Sequence, residues 1–157
     1  MVSRVDTLNT DLQHYMKLFK GCIDKNLCDD LVREMEAIEF QEHKFYDHYK
    51  REVSARSGSK ELSVSWDDCP SRSILSKKIW YVIHDYLKYI NLPWFVSWSG
   101  YTPPRFNKYN QNKQMALHCD HIQSMFDGEK KGIPILSVLG VLNNNYEGGE
   151  FIMFDDT

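Results

Sequence analysis

No apolar run in this 157-residue chain approaches the roughly 20 residues that a bilayer-spanning helix needs. The first residues, Met1-Val2-Ser3-Arg4-Val5-Asp6, lack the hydrophobic core of a secretory signal. A cytoplasmic protein with no membrane role is the expectation. The four cysteines (Cys22, Cys28, Cys69, Cys119) form no CxxC pair and no regular framework, which argues against a zinc knuckle or a disulfide scaffold. Reduced thiols used in packing are expected instead. A charge excess of one sign is also missing. With 19 basic against 22 acidic residues, no nucleic-acid partner held by bulk electrostatics is expected. Neither an internal repeat nor a long linker divides the chain, so residues 1–157 read as one domain. What is present is apolar material. Hydrophobic residues at 42% and aromatics at 13% can build a core and exclude disorder as the main theme.

The first third reads as helical. Leu8, Leu12, Tyr15, Met16 and Phe19 line one face, with Gly21 as a stop. A second helix is expected from an Asn26 cap, with Leu27, Leu31, Met35 and Ile38 as its stripe. Residues 41–60 lose periodicity, and the basic stretch from Lys50 to Lys60 reads as an exposed, mobile loop. A third helix carries Leu75, Ile79, Val82, Ile83, Tyr86 and Ile90, capped by Ser71 or Ser73 and ended by Asn91-Leu92-Pro93. Trp94, Phe95, Val96 and Trp98 read as a strand. The run from Ile133 to Leu142 is apolar on both faces, as in a strand buried between two sheets. Asn143 to Gly149 is a turn signal, and Glu150 to Phe154 returns as the next strand. Helices first and strands later predict an α+β domain.

The tripeptide His118-Cys119-Asp120 carries the chemistry. On a strand, residues i and i+2 share a side. The imidazole and the carboxylate then converge on one metal while Cys119 faces away. One His and one carboxylate, joined by a second His from elsewhere, make the facial triad of non-haem iron(II) oxygenases. A tetrahedral zinc site of His118, Asp120 and a cysteine is the weaker alternative, since Cys119 points away. His121 points opposite to Asp120 on a continuing strand, so it reads as a neighbour of the site or a surface residue, while His14, His43, His48 and His84 lack a partner spacing and read as structural.

The stretch from Lys108 to His121, with Tyr109 about nine residues before the HxD, resembles the motif region of prolyl 4-hydroxylase-like iron(II)/2-oxoglutarate dioxygenases. The run Leu136 to Asn143 and the turn Glu147-Gly148-Gly149-Glu150-Phe151 follow in that family's order, and Gly21 to Val32 is similar to its lead-in helix. The resemblance implies a double-stranded β-helix of jelly-roll or cupin-like kind, with helices packed outside. It implies Fe(II), O2 and the co-substrate 2-oxoglutarate, with a C–H bond hydroxylated and succinate and CO2 released. His118 and Asp120 would hold the metal, and Tyr109 would contact the co-substrate's far carboxylate. Ser137, Leu139, Val141 and Phe151 would line the cofactor cavity. The substrate would be a small molecule or a peptidyl group, and nothing selects proline or an oligomeric state.

The same resemblance implies a second metal histidine beyond the Gly-Gly-Glu turn and then an Arg or Lys for the far carboxylate. Neither follows Glu150. The sequence therefore reads as a C-terminally truncated member with its last strands missing. Its alternative function is that of a non-catalytic fragment of such a domain.

Overall fold

The computed structural model of the chain describes residues 11–47, 52–54, 61–95, 97–115, 118, 120 and 132–153. Several expectations fall outside them: those on Leu8, His48, Val96, Ala116, Leu117, Cys119, His121 and Phe154, and on the basic residues 50–51 and 55–60.

Helix α1 (Lys25–Glu36) begins where Asp24, in extended backbone, turns its carboxylate onto the Leu27 amide at 3.0 Å. The cap is thus Asp24 rather than the expected Asn26, because a side-chain oxygen two residues earlier reaches a free first-turn N–H. Lys25 and Asp29 pair one turn apart. Leu27, Leu31 and Met35 are buried, as their spacing predicts. Helix α2 (Arg72–Ile90) buries Leu75, Ile83 and Ile90. It stops where Asn91 turns left-handed (φ 44°) and its N–H closes on the Leu87 carbonyl at 3.1 Å.

Ser71 precedes α2 as expected, yet its hydroxyl caps nothing in that helix. It donates to Glu34 Oε1 (2.7 Å) while its N–H donates to Oε2 (2.9 Å). One carboxylate therefore ties α1 to α2, and these bonds hold the Glu34 carboxyl below its ordinary range. Arg72 donates to the carbonyls of Trp66 (2.6 Å), Asp67 (2.9 Å) and Pro104 (2.8 Å), pinning two loops to the start of α2.

Five short strands follow the same chain: β1 (Gln41–Glu42), β2 (Phe45–Asp47), β3 (Glu52–Ser54), β4 (Ser63–Ser65) and β5 (Phe106–Lys108). Strands β1, β4 and β5 form an antiparallel sheet in the order β1-β4-β5, with Gln41 opposite Val64 and Ser65 opposite Phe106. Strands β2 and β3 form a separate antiparallel pair. The core joins Leu27, Leu31 and Met35 of α1 to Cys69, Leu75 of α2 and Phe106 of β5. Leu142 packs on it from the C-terminal segment.

Four segments differ from the sequence reading. Among the described residues of the first expected helix, only Leu12–Tyr15 is helical, as one 3₁₀ turn capped by Asp11. The hydroxyls of Tyr86 (2.8 Å) and Tyr89 (3.4 Å) take the Tyr15 and His14 carbonyls, so α2 supplies the partners that a longer helix would have supplied from within. Trp94 to Trp98 is no strand among its described residues. Phe95 closes a turn on Leu92 (3.0 Å), and Trp98 stacks on Trp80 at 4.5 Å. Strands at 41–42 and 45–47 stand where the sequence loses periodicity, and the strand at 52–54 stands where a loop was expected. Residues 133–153 make no strand among the described residues, and Ile133, Ile135, Leu139 and Val141 are exposed. An apolar β-branched run becomes a ladder only when a neighbouring backbone pairs with it. The turn at its end does form. Gly149 has φ +75°, and a Cβ there would meet the Tyr146 ring at 3.1 Å. Among the described residues no helix is long and apolar enough to cross a membrane.

Candidate metal centre

Strand β5 places the chemistry at its two ends. Arg105 stands just before it and Tyr109 just after. A parallel bridge between Glu61 and Gln114 then holds the backbone that leads to His118 beside the entry to β4. The sheet thus gathers residues 43, 61, 105, 109 and 118 from four separate stretches of sequence.

His118 and Asp120 converge. The imidazole Nε2 lies 2.9 Å from Asp120 Oδ1. A carboxylate accepts only, so Nε2–H donates. Neither residue belongs to a strand, and irregular backbone, not strand alternation, brings them together. Two ligand atoms each about 2.1 Å from one ion, at a right angle, stand about 3 Å apart. The observed spacing therefore suits adjacent ligands of a single metal, once the imidazole places its proton on the other nitrogen.

Ser137 arrives from the C-terminal segment and donates to Asp120 Oδ2 at 2.5 Å. That bond, then the His118 contact and the Arg105 charge, hold the Asp120 carboxyl below its ordinary range. Tyr109 is 53% exposed. Its sheltered part raises the phenol; the Arg105 charge opposes that rise and the Glu61 charge adds to it. Of the sequence-derived set, the structure joins His118, Asp120 and Ser137 by hydrogen bonds and sets Tyr109 in the same electrostatic neighbourhood. Leu139, Val141 and Phe151 stand at 63%, 72% and 68% exposed, outside that hydrogen-bonded cluster.

The sequence reading missed three residues here. His43 and Glu61 are almost fully buried, with side chains 7% and 4% exposed, and His43 Nδ1 lies 3.6 Å from Glu61 Oε2. Arg105 Nη1 approaches His43 Nε2 at 3.3 Å. A guanidinium only donates, so Nε2 accepts and the His43 proton sits on Nδ1, toward Glu61. Burial first, and the Arg105 charge next, push the His43 imidazole below its ordinary value. Phe45 bridges this group to His118, with ring centroids 4.5 Å from His43 and 6.4 Å from His118. No spacing in the sequence relates His43, Glu61 and Arg105. The only local signal was the alternation Leu62-Ser63-Val64-Ser65, which marks β4; around β5 it lasts only from Arg105 to Asn107.

Among the described residues no group of three or more His, Cys, Asp or Glu side chains is gathered for one metal ion. His84 lies on the exposed face of α2, and the His14 ring packs against Tyr15 and Tyr89. No family model, curated protein or solved structure matches the chain.

Proposed function

We propose that the chain is an iron(II)- and 2-oxoglutarate-dependent dioxygenase domain of prolyl 4-hydroxylase-like kind, built on a double-stranded β-helix. It hydroxylates a C–H bond of a small-molecule or peptidyl substrate, consuming O2 and 2-oxoglutarate and releasing succinate and CO2. The observation that carries this reading is the 2.9 Å approach of His118 Nε2 to Asp120 Oδ1, with Asp120 anchored by Ser137.

His118 and Asp120 supply one nitrogen and one oxygen, the donor types that iron(II) accepts with positions left open. Bound there, iron(II) supplies the redox chemistry that activates O2. Ser137 keeps the Asp120 carboxylate from rotating, as a hydrogen-bonded partner of a metal ligand does. Phe45 lays an apolar edge against His118, limiting water on that flank. Tyr109 offers a phenolic O–H to the co-substrate's far carboxylate, and its phenol keeps its proton because partial burial raises it.

The test is an anaerobic titration of the chain with iron(II) and 2-oxoglutarate, read by visible absorption. A charge-transfer band that His118→Ala abolishes is expected. The second reading, a non-catalytic fragment, is favoured by the pair, not triad, of ligands among the described residues. A folded, soluble sample that gives no band sinks the dioxygenase reading for these 157 residues and leaves the fragment.

A further inference from the structure

Burying Glu61 and His43 costs free energy, because both lose water. The two face one another, and the outward end of the pair is an acceptor, His43 Nε2, turned on Arg105 at 3.3 Å. The Arg105 guanidinium is fixed from two further sides. Its Nε donates to Asn107 Oδ1 at 2.9 Å, and its Cζ lies 5.8 Å from the Trp66 ring centre. The rest of its donor fork meets no acceptor among the described residues. A half-buried guanidinium held on three sides, with N–H groups left over, has the geometry that grips a carboxylate through two parallel bonds.

We propose that the buried Glu61–His43 pair positions Arg105 as the binding residue of a carboxylate site, with Tyr109 at its edge. The Glu61 carboxylate lies 3.6 Å from Nδ1, beyond hydrogen-bond reach, and its charge favours the His43 proton on that nitrogen. That leaves Nε2 as the acceptor that orients the fork. His43 is thus a positioning residue, and Arg105 touches the ligand. The site requires no metal and stands apart from the dioxygenase reading. It rests on that reading only if the carboxylate proves to be that of the co-substrate, not of a substrate. Arg105 and Tyr109 flank β5 four residues apart, and the Arg105 charge acts on the Tyr109 phenol.

The experiment uses the full chain in EDTA, with succinate as the probe, read by ligand-observed NMR and calorimetry. Wild type is expected to bind succinate. Arg105→Gln, which keeps a polar amide but loses the charge and the donor fork, weakens binding about tenfold or more. His43→Gln, whose amide oxygen accepts the same Arg105 bond, retains affinity, whereas His43→Leu loses it. Circular dichroism checks each fold, and Arg105→Gln decides the matter if His43→Leu fails to fold. Acetate and 2-oxoglutarate, run in parallel, separate a general carboxylate site from one shaped for a dicarboxylate. Folded wild type that binds none of the three overturns the proposal. So does an Arg105→Gln affinity equal to wild type. EDTA removes iron from the readout, so failure of the iron site leaves this result standing, and the reverse holds too.

Discussion

Removing the Ser137 hydroxyl tests the centre most sharply. Ser137 Oγ is the donor to Asp120 Oδ2, and it is the largest cause of the lowered Asp120 carboxyl. In Ser137→Ala that bond is lost, and the contact with His118 alone still restrains the carboxylate. A hydrogen bond to a charged group contributes about 1.5–3 kcal/mol. The Asp120 side chain is 57% exposed, so water replaces part of the loss, and the lower end applies. Loss of a partner that orients a metal ligand lowers metal affinity about 10–100-fold. The expected effect is therefore about tenfold in the iron(II) dissociation constant, or about 1.4 kcal/mol. Anaerobic calorimetry with iron(II) measures it, and Ser137→Thr, which keeps the hydroxyl, retains most of the affinity. An unchanged constant in folded Ser137→Ala would refute the claim that this bond orients the ligand.

Leu31 has 0% exposure at the centre of the core, and Leu31→Ala is expected to cost about 3 kcal/mol in urea unfolding. A cost below about 1 kcal/mol would show that α1 does not dock there. Asn91 ends α2 in left-handed backbone, so Asn91→Ala lowers stability by about 1 kcal/mol, read from thermal unfolding. For pH, the native His43 imidazole lies below its ordinary value of 6.5, so the unfolded chain takes up that proton first. Above that value His43 is neutral in both states and contributes nothing to the slope. As pH falls through it, stability declines until native His43 also titrates. Urea midpoints at about pH 7.5 and about pH 5.5 should differ less in His43→Gln than in wild type, and an equal difference would count against buried neutral His43.

The stripes of α1 and α2 were legible because a helix writes its burial into spacings of three and four. Leu27, Leu31, Leu75, Ile83 and Ile90 sit where that period puts them. Caps were less legible. Asp24 and Asn26 are both good cap residues, and only the path of the chain after Gly21 decides between them. The first expected helix shows the limit of periodicity. Its apolar spacing is sound, yet Tyr86 and Tyr89 claim backbone carbonyls that continued helix would need. The strands were hard to see for another reason. With two or three residues each they carry almost no alternation, and in the three-stranded sheet the partners lie 21 to 45 positions apart, as in Glu42 with Ser63 and Ser63 with Lys108.

The sequence by itself determined two amphipathic helices, a Gly-Gly turn and the candidate ligands His118 and Asp120. Each is a local pattern, set by period, by glycine conformation or by adjacency. The tertiary structure decided the surroundings of that pair. It brought Ser137 onto Asp120 across 17 positions and Arg105 onto His43 across 62. Contacts between residues so far apart follow from sheet pairing and core packing, and no local spacing encodes them.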